Sequence, residues 1–262
     1  MLIGSGCFGT LGPMVIARLA ALVAVTAALV QCAPDRGHPA TPSPATPSPA
    51  TPTAAEPAPE TFRTVPRPPQ TPPPPTAGPA EISSVTAADL GSTWRAGCPL
   101  PPERLRQVEL DYRGFDGQTH RGQLVVHEDL TGEVIDVFAE LYRIGYPIER
   151  MRTVENYPDA DDELSMRDNN TSAFNCRDIP GTGQWSYHAY GRAIDVNPRL
   201  NPFVDRRGDY QPANAARWVD RTRTEPGMLH DGDAAVLAFT DRGWTWGGHW
   251  RTPLDYQHFE LP

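Results

Sequence analysis

Residues 186–195 read SYHAYGRAID, and residues 255–260 read DYQHFE. Each stretch supplies one histidine and one aspartate at close spacing. Two imidazoles and one carboxylate are ligands that Zn²⁺ accepts in catalytic sites, where a fourth position stays free for water. The predicted metal ligands are His188, Asp195 and His258. The second carboxylate, that of Asp255, is then predicted to take a proton from the water.

The spacing within each stretch restricts the local structure. His188 and Asp195 are too far apart for one helical turn and fit a loop followed by a strand, with Gly191 allowing the backbone to bend between them. Positions three apart on a regular strand point to opposite faces. We therefore expect a bend between Asp255 and His258 if both side chains face one metal.

Two alternatives stay open at this point. His249, in the run GGHW at residues 247–250, is the main rival ligand. Ser186 is predicted to help position a substrate, but it also permits a serine-nucleophile arrangement with His188 and Asp195. Crowding all three into ten residues disfavours the geometry of a catalytic triad.

Composition excludes several classes of function. All 23 basic residues are arginine, so a P-loop lysine and a Schiff-base lysine are impossible. The net charge of −9 argues against a surface that binds phosphate backbones, and no nucleic-acid partner is expected.

The N-terminal part has the pattern of an exported protein. An apolar run at residues 19–30 follows Arg18 and suits a signal peptide, because it is too short to span a membrane. We assign residues 1–32 to a signal peptide or a lipoprotein leader; in the second case a lipid on Cys32 would tether the protein to a membrane. Residues 33–90, rich in Pro, Ala and Thr, are predicted to be a disordered stalk.

Residues 91–262 are predicted to form one folded domain. Residues 106–112 and 121–127 alternate polar and apolar side chains as a β-hairpin does. A helix is expected from Thr131 to Gly145 because apolar residues recur there at i, i+3, i+4 and i+7. Further strands are expected at residues 148–157, 193–196 and 256–261, with an acidic loop at 159–163 and a second helix at 234–241. This irregular order indicates an α+β domain, a mainly antiparallel sheet with flanking helices.

The domain contains two cysteines, Cys98 and Cys176. In an exported protein such a pair favours a disulfide. The alternative is a pair of buried free thiols.

The two motifs together resemble a known family. Ser-x-His-x-x-Gly-x-Ala-x-Asp followed by Asp-x-x-His is similar to the zinc D-alanyl-D-alanine carboxypeptidases and L-alanyl-D-glutamate endopeptidases, whose fold is shared with the hedgehog signalling domain. The likeness covers roughly residues 95–262. It implies one Zn²⁺ held by His188, Asp195 and His258, Asp255 as the general base, and peptidoglycan stem peptides as the substrate.

One part of the family pattern is missing. Residues 151–157 do not reproduce the arginine motif that many members carry on the strand before the zinc site. We assign its role, binding the scissile carbonyl oxygen or a substrate carboxylate, to Arg177. Arg152 and Arg167 are the alternatives.

The resulting hypothesis is an exported, monomeric zinc metallopeptidase of the cell envelope or extracellular space. The competing hypothesis is a non-catalytic, tethered cell-wall-binding module of the same fold.

Overall fold

A computed structural model of the protein describes residues 76–262, which lie within one compact unit, Arg67–Pro262. The predicted leader at residues 1–32, Cys32 and the stalk as far as residue 75 lie outside the described residues. None of the helices in the described part is long and apolar enough to cross a membrane.

Within residues 76–262 the secondary structure is mixed, with few and short helices. The α-helices are α1 (Ala87–Leu90), α2 (Thr131–Arg143), α3 (Asp162–Arg167) and α4 (Ala234–Thr240). The strands are β1 (Glu81–Ser84), β2 (Leu105–Arg113), β3 (Thr119–His127), β4 (Arg150–Met151), β5 (Asn170–Thr171), β6 (Asp178–Ile179), β7 (Gln184–Trp185), β8 (Ala193–Asp195), β9 (Phe203–Val204), β10 (Tyr210–Gln211), β11 (Thr245–Trp246), β12 (Leu254–Asp255) and β13 (His258–Glu260).

The described strands form several small sheets rather than one large one. Three sheets have three strands each, in the orders β1-β2-β3, β10-β9-β12 and β11-β13-β8, and all their pairings are antiparallel. The pair β6-β7 is antiparallel and the pair β4-β5 is parallel. The predicted mixture of helices with mainly antiparallel strands is thus present.

The stalk was predicted to extend to residue 90, and that boundary is wrong. Residues 81–84 form β1, which pairs with β2 from Glu81↔Glu109 to Ser84↔Arg106. Thr86 then caps α1, because its side chain accepts the backbone N–H of Asp89 while the Asp89 carboxylate accepts the N–H of Thr86. The folded part therefore includes residues 81–90, which the sequence pattern had assigned to the stalk.

The predicted hairpin and first helix are confirmed and build the main core. On β2, Val108 and Leu110 are buried and face α2, whose buried residues include Val137 and Phe138. Each such side chain contributes roughly 1.5–3 kcal/mol on burial. Phe239 of α4 extends the same core, and its ring stacks on that of Phe259 at 3.9 Å between centroids. The core thereby reaches β13, the strand that carries His258.

Residues 148–163 differ from the prediction. Only Arg150 and Met151 of the expected long strand are in a sheet, paired in parallel with β5. The acidic run is not merely a loop, because Asp161 accepts the backbone N–H of Leu164 and caps α3, which starts at Asp162.

The predicted disulfide between Cys98 and Cys176 is present. It joins the segment after α1 to the chain that leads into β6, across a sequence separation of 78 residues. Phe174 and Cys176 belong to a second, smaller core with Val85, Leu90 and Leu105. The bridge therefore fixes the first folded segment against the chain that approaches the candidate site.

Replacing both cysteines by serine is expected to lower the free energy of unfolding by about 4 kcal/mol, since the unfolded chain would no longer contain a closed loop of this length. Urea denaturation of the oxidised protein and the double variant measures the difference. Reduced wild-type protein is the control, and it should match the variant. Equal stability of all three samples would contradict a stabilising role for the bridge.

Candidate metal centre

The three predicted ligands lie together in the structure. The potential donor atoms of His188, Asp195 and His258 are all within 4.8 Å of one another, and all three residues are buried. His188 Nε2 lies 3.2 Å from Asp195 Oδ2 and 3.2 Å from His258 Nδ1, while His258 Nδ1 lies 3.1 Å from Asp195 Oδ1. The predicted convergence of the two motifs is therefore present.

A short 3₁₀ turn, Tyr187–Tyr190, places His188. The hydroxyl of Ser186 accepts the backbone N–H of His188 at 3.3 Å and caps this turn. On the ring, Nδ1–H donates to the carbonyl of Ala173 at 2.5 Å, so Nε2 is left with a free lone pair toward Asp195. Because neither ring nitrogen bonds to the Ser186 hydroxyl, the structure gives no support to a serine triad. The predicted contact between Ser186 and a substrate stays a prediction.

Gly191 makes the turn that separates His188 from β8. Its φ of +63° is the left-handed conformation that favours glycine. A Cβ added there would lie 2.6 Å from the backbone nitrogen of His127, which donates to the Gly191 carbonyl. The bend predicted at this glycine is present, and the neighbouring strand β3 leaves no room for a side chain.

The register between β8 and β13 places Asp195 and His258 directly opposite each other. Asp195 is fully enclosed, and burial alone would raise its pKa. The neighbouring imidazoles of His188 and His258 outweigh that effect and hold the pKa of Asp195 well below its usual range. The carboxylate is therefore charged and available as a ligand across the ordinary pH range.

Glu260 completes the surroundings of His258 and was given no role from the sequence. His258 Nε2 lies 3.1 Å from Glu260 Oε2, on the side of the ring away from Asp195. Burial would lower the pKa of His258, but hydrogen bonds to the Asp195 and Glu260 carboxylates raise it to about 10. The signal in the sequence is the spacing His-x-Glu on a strand, which puts both side chains on one face.

The bend that the predicted role of Asp255 requires is present between Asp255 and His258. Asp255 ends β12, and a turn at Tyr256 and Gln257 separates it from β13. A Cβ added at Gly247 would lie 2.5 Å from the Asp255 carbonyl oxygen, so close backbone packing fixes this strand end. The Oδ1 atom of Asp255 is buried and has no hydrogen-bond partner. Burial raises the pKa of Asp255 to about 6, partly opposed by His258.

Arg177 lies near these carboxylates and is partly buried, whereas the alternative arginines are exposed. Arg177 Nη2 forms an ion pair with Asp162 Oδ2 at 2.9 Å, and Nε is buried without a partner. Burial would lower the pKa of Arg177, but the charges of Asp162, Asp195 and Asp255 raise it. Arg152 and Arg167 are exposed.

The rival ligand His249 is not part of the cluster. Its Nε2 lies 2.7 Å from Asp231 Oδ1, and its side chain is about half exposed. Trp250, next in the chain, stands beside the site with its ring centroid 5.4 Å from that of His258. It is half-buried and forms part of the site wall.

Residues 180–261 match the model of a peptidase family. That family is described as D-alanyl-D-alanine carboxypeptidase. The matched segment spans less than half of the chain, but it contains the whole cluster and Asp255. It supports the resemblance drawn from the two motifs and suggests a peptidase that acts on peptidoglycan. No curated protein and no solved structure matches the chain.

Gly191→Ala is expected to lower the free energy of unfolding by about 2–5 kcal/mol, because left-handed backbone strain and crowding add together. The matched control is Gly183→Ala. Gly183 has a similar φ of +67°, but a Cβ there would meet nothing within 4 Å. In the control, only backbone strain should lower the free energy of unfolding, by about 1–2 kcal/mol. Thermal or urea unfolding measures both, and equal losses would contradict the close approach of β3.

Proposed function

We propose that the protein is an exported zinc metallopeptidase that hydrolyses peptide bonds in peptidoglycan stem peptides. The observation that carries the proposal is the buried cluster of two imidazoles and one carboxylate, together with a second carboxylate, Asp255, whose Oδ1 is buried without a partner. The cleaved bond is of the D-Ala-D-Ala or the L-Ala-D-Glu type. The Trp-Gly-Gly-x-Trp run and the aspartate in the base position favour the endopeptidase branch.

The donor set fits Zn²⁺. Two imidazole nitrogens and one carboxylate oxygen are the three protein ligands of an open zinc site. Each histidine has its second ring nitrogen engaged, His188 with the Ala173 carbonyl and His258 with Glu260, which is the usual support for metal-bound histidines. The carboxylates of Asp195 and Glu260 raise the pKa of His258 to about 10, which supports a site that favours positive charge. A divalent cation would take the place of that proton.

The metal and the residues around the cluster would have different roles in hydrolysis. When bound, Zn²⁺ supplies a Lewis acid that activates water at neutral pH. Asp255 would accept a proton from the attacking water as the water oxygen bonds to the scissile carbonyl carbon. As the carbon–nitrogen bond breaks, Asp255 would deliver that proton to the leaving amine. The products are a carboxylate and a free amine.

Arg177 would stabilise the charge that develops on the carbonyl oxygen. Its buried Nε has no partner, and Asp162 holds only the Nη2 side of the guanidinium. A pre-oriented donor in a buried site is worth more than one in water, because it needs no reorganisation during the reaction. A substrate carboxylate is the other group that this arginine would bind.

The N-terminal leader, the stalk and the disulfide support a location outside the cytosol. The leader pattern at residues 1–32 and the stalk supply export and distance from the membrane, with Cys32 as the attachment point if it is lipidated. The Cys98–Cys176 disulfide agrees with an oxidising compartment outside the cytosol. We propose the cell envelope or the extracellular space as the site of action.

Asp255→Ala is expected to abolish hydrolysis while zinc stays bound, because Asp255 is outside the ligand cluster. The wild-type protein and the variant are loaded with zinc, assayed for metal content and incubated with defined muropeptides. Mass spectrometry of the products identifies the cleaved bond. The expected loss in kcat is on the order of 10²–10⁴-fold, typical of a general base.

Asp231→Ala is the matched control, since Asp231 is an exposed aspartate whose carboxylate pairs with His249 and not with the cluster. It should leave the rate unchanged. Stoichiometric zinc without hydrolysis by wild-type protein would favour the non-catalytic wall-binding module. Activity that survives a chelator but is lost in Ser186→Ala would instead indicate a serine mechanism.

The pH profile gives an independent measurement. Because the pKa of Asp255 is raised to about 6, this carboxyl is protonated at lower pH and cannot accept a proton. The value of kcat/KM is expected to rise tenfold per pH unit on the acid side and level off above the pKa. A bound cation would lower this pKa, so the inflection is expected at or below pH 6.

Zinc content is measured at every pH, which separates protonation of Asp255 from loss of metal through protonation of the histidines. Asp255→Glu is the comparison variant, and its inflection should move because the new carboxyl has other surroundings. A flat profile between pH 4 and pH 8 with constant zinc content would contradict a raised pKa of Asp255 in the zinc-loaded enzyme.

A further inference from the structure

The Glu260 carboxylate lies beside the ring of one predicted metal ligand, His258. Its Oε2 lies 3.1 Å from His258 Nε2, and its side chain is only 17% exposed. Among residues 76–262, His258 is the one basic side chain within salt-bridge distance of Glu260. A largely buried carboxylate needs a hydrogen-bond donor, and His258 Nε2 is the ring nitrogen placed to supply one.

Two features of the chain fix this contact. His258 and Glu260 are alternate residues of β13, so their side chains lie on the same face of the strand. β13 is the central strand of its sheet, held between β11 and β8. Glu260 is therefore held in register with His258 by backbone hydrogen bonds on both sides.

The contact with Glu260 determines which ring nitrogen of His258 carries the proton and which one offers a lone pair to the cluster. If Nε2–H donates to Glu260, then the neutral ring has its lone pair on Nδ1, and Nδ1 is the atom that lies 3.1 Å from Asp195 Oδ1. His188 is oriented the opposite way, with Nδ1–H donating to a carbonyl and Nε2 in the cluster. The two histidines thus need separate partners to present different nitrogens.

We propose that Glu260 is a positioning residue, which holds His258 in the Nε2–H tautomer so that Nδ1 is the metal-binding atom. This inference rests on the proposed zinc site and goes beyond it by assigning the atom and the residue that selects it. Outer partners of this kind affect metal affinity about 10–100-fold.

The test is zinc affinity, measured by competition with a chromophoric chelator at pH 7 for the wild type, Glu260→Ala and Glu260→Gln. Glu260→Ala is expected to raise the zinc Kd about 10–100-fold. Glu260→Gln retains an oxygen acceptor without the charge, so it should recover part of that loss. Long-range ¹H–¹⁵N NMR of zinc-loaded protein reports the tautomer directly, and Nε2 of His258 should carry the proton in the wild type.

Glu140→Gln is the matched control, because Glu140 is a partly buried carboxylate paired with Arg143 on α2. Its zinc Kd should equal that of the wild type. An unchanged Kd in Glu260→Ala, or a proton on Nδ1 in the zinc-loaded wild type, would overturn the inference while leaving the zinc site intact. Failure of wild-type protein to bind zinc at all would overturn the proposed function itself.

Discussion

The pairing of β8 with β13 is the constraint on which the site depends. It sets Asp195 opposite His258, and the next pair, Ile194 and Phe259, points into the core. Because side chains alternate along a strand, a slip of β13 by one residue would turn His258 out of the site and Phe259 out of the core. The burial of Ile194 and Phe259 therefore maintains the geometry of the ligands. The same pairing register between β8 and β13 therefore maintains both the core and the candidate site.

The two remaining functional groups are placed by less regular structure, and each has its own restraint. His188 stands on a 3₁₀ turn that Ser186 caps and Gly191 ends. Asp255 stands at the end of β12, in a different sheet from β13, with the backbone of Gly247 packed against it. Tight turns and close backbone approach take the place of long strands here. This explains why glycines and a capping serine are interspersed with the chemically active residues of the two motifs.

Much of the fold and of the candidate site could be predicted from the sequence, for reasons that differ between elements. The β2–β3 hairpin and α2 have strong periodic patterns, and the ligand spacing is compact enough to indicate a cluster. The strand β1 was missed because all four of its residues are exposed, so its pairing with β2 leaves no alternating apolar pattern. The pairing of Asp162 with Arg177 was also missed, since it joins residues that are distant in sequence and an acidic run ordinarily indicates solvated loop. The hedgehog-type fold stays a prediction.

The three carboxylates of the site have different surroundings, and that difference is what divides their roles. Asp195 lies between two imidazoles and has a lowered pKa, which suits a ligand. Glu260 lies beside the outer nitrogen of His258, which suits a support. Asp255 has a buried oxygen without a partner and a pKa raised to about 6, so near neutral pH it is ionised but can be protonated at little cost. When titratable groups in one site have pKa values pushed apart by their environments, the group nearest neutrality is the one suited to move protons. In the proposed function aspartate therefore has two tasks, and the imidazoles on either side of Asp195, which Asp255 lacks, distinguish the ligand from the base.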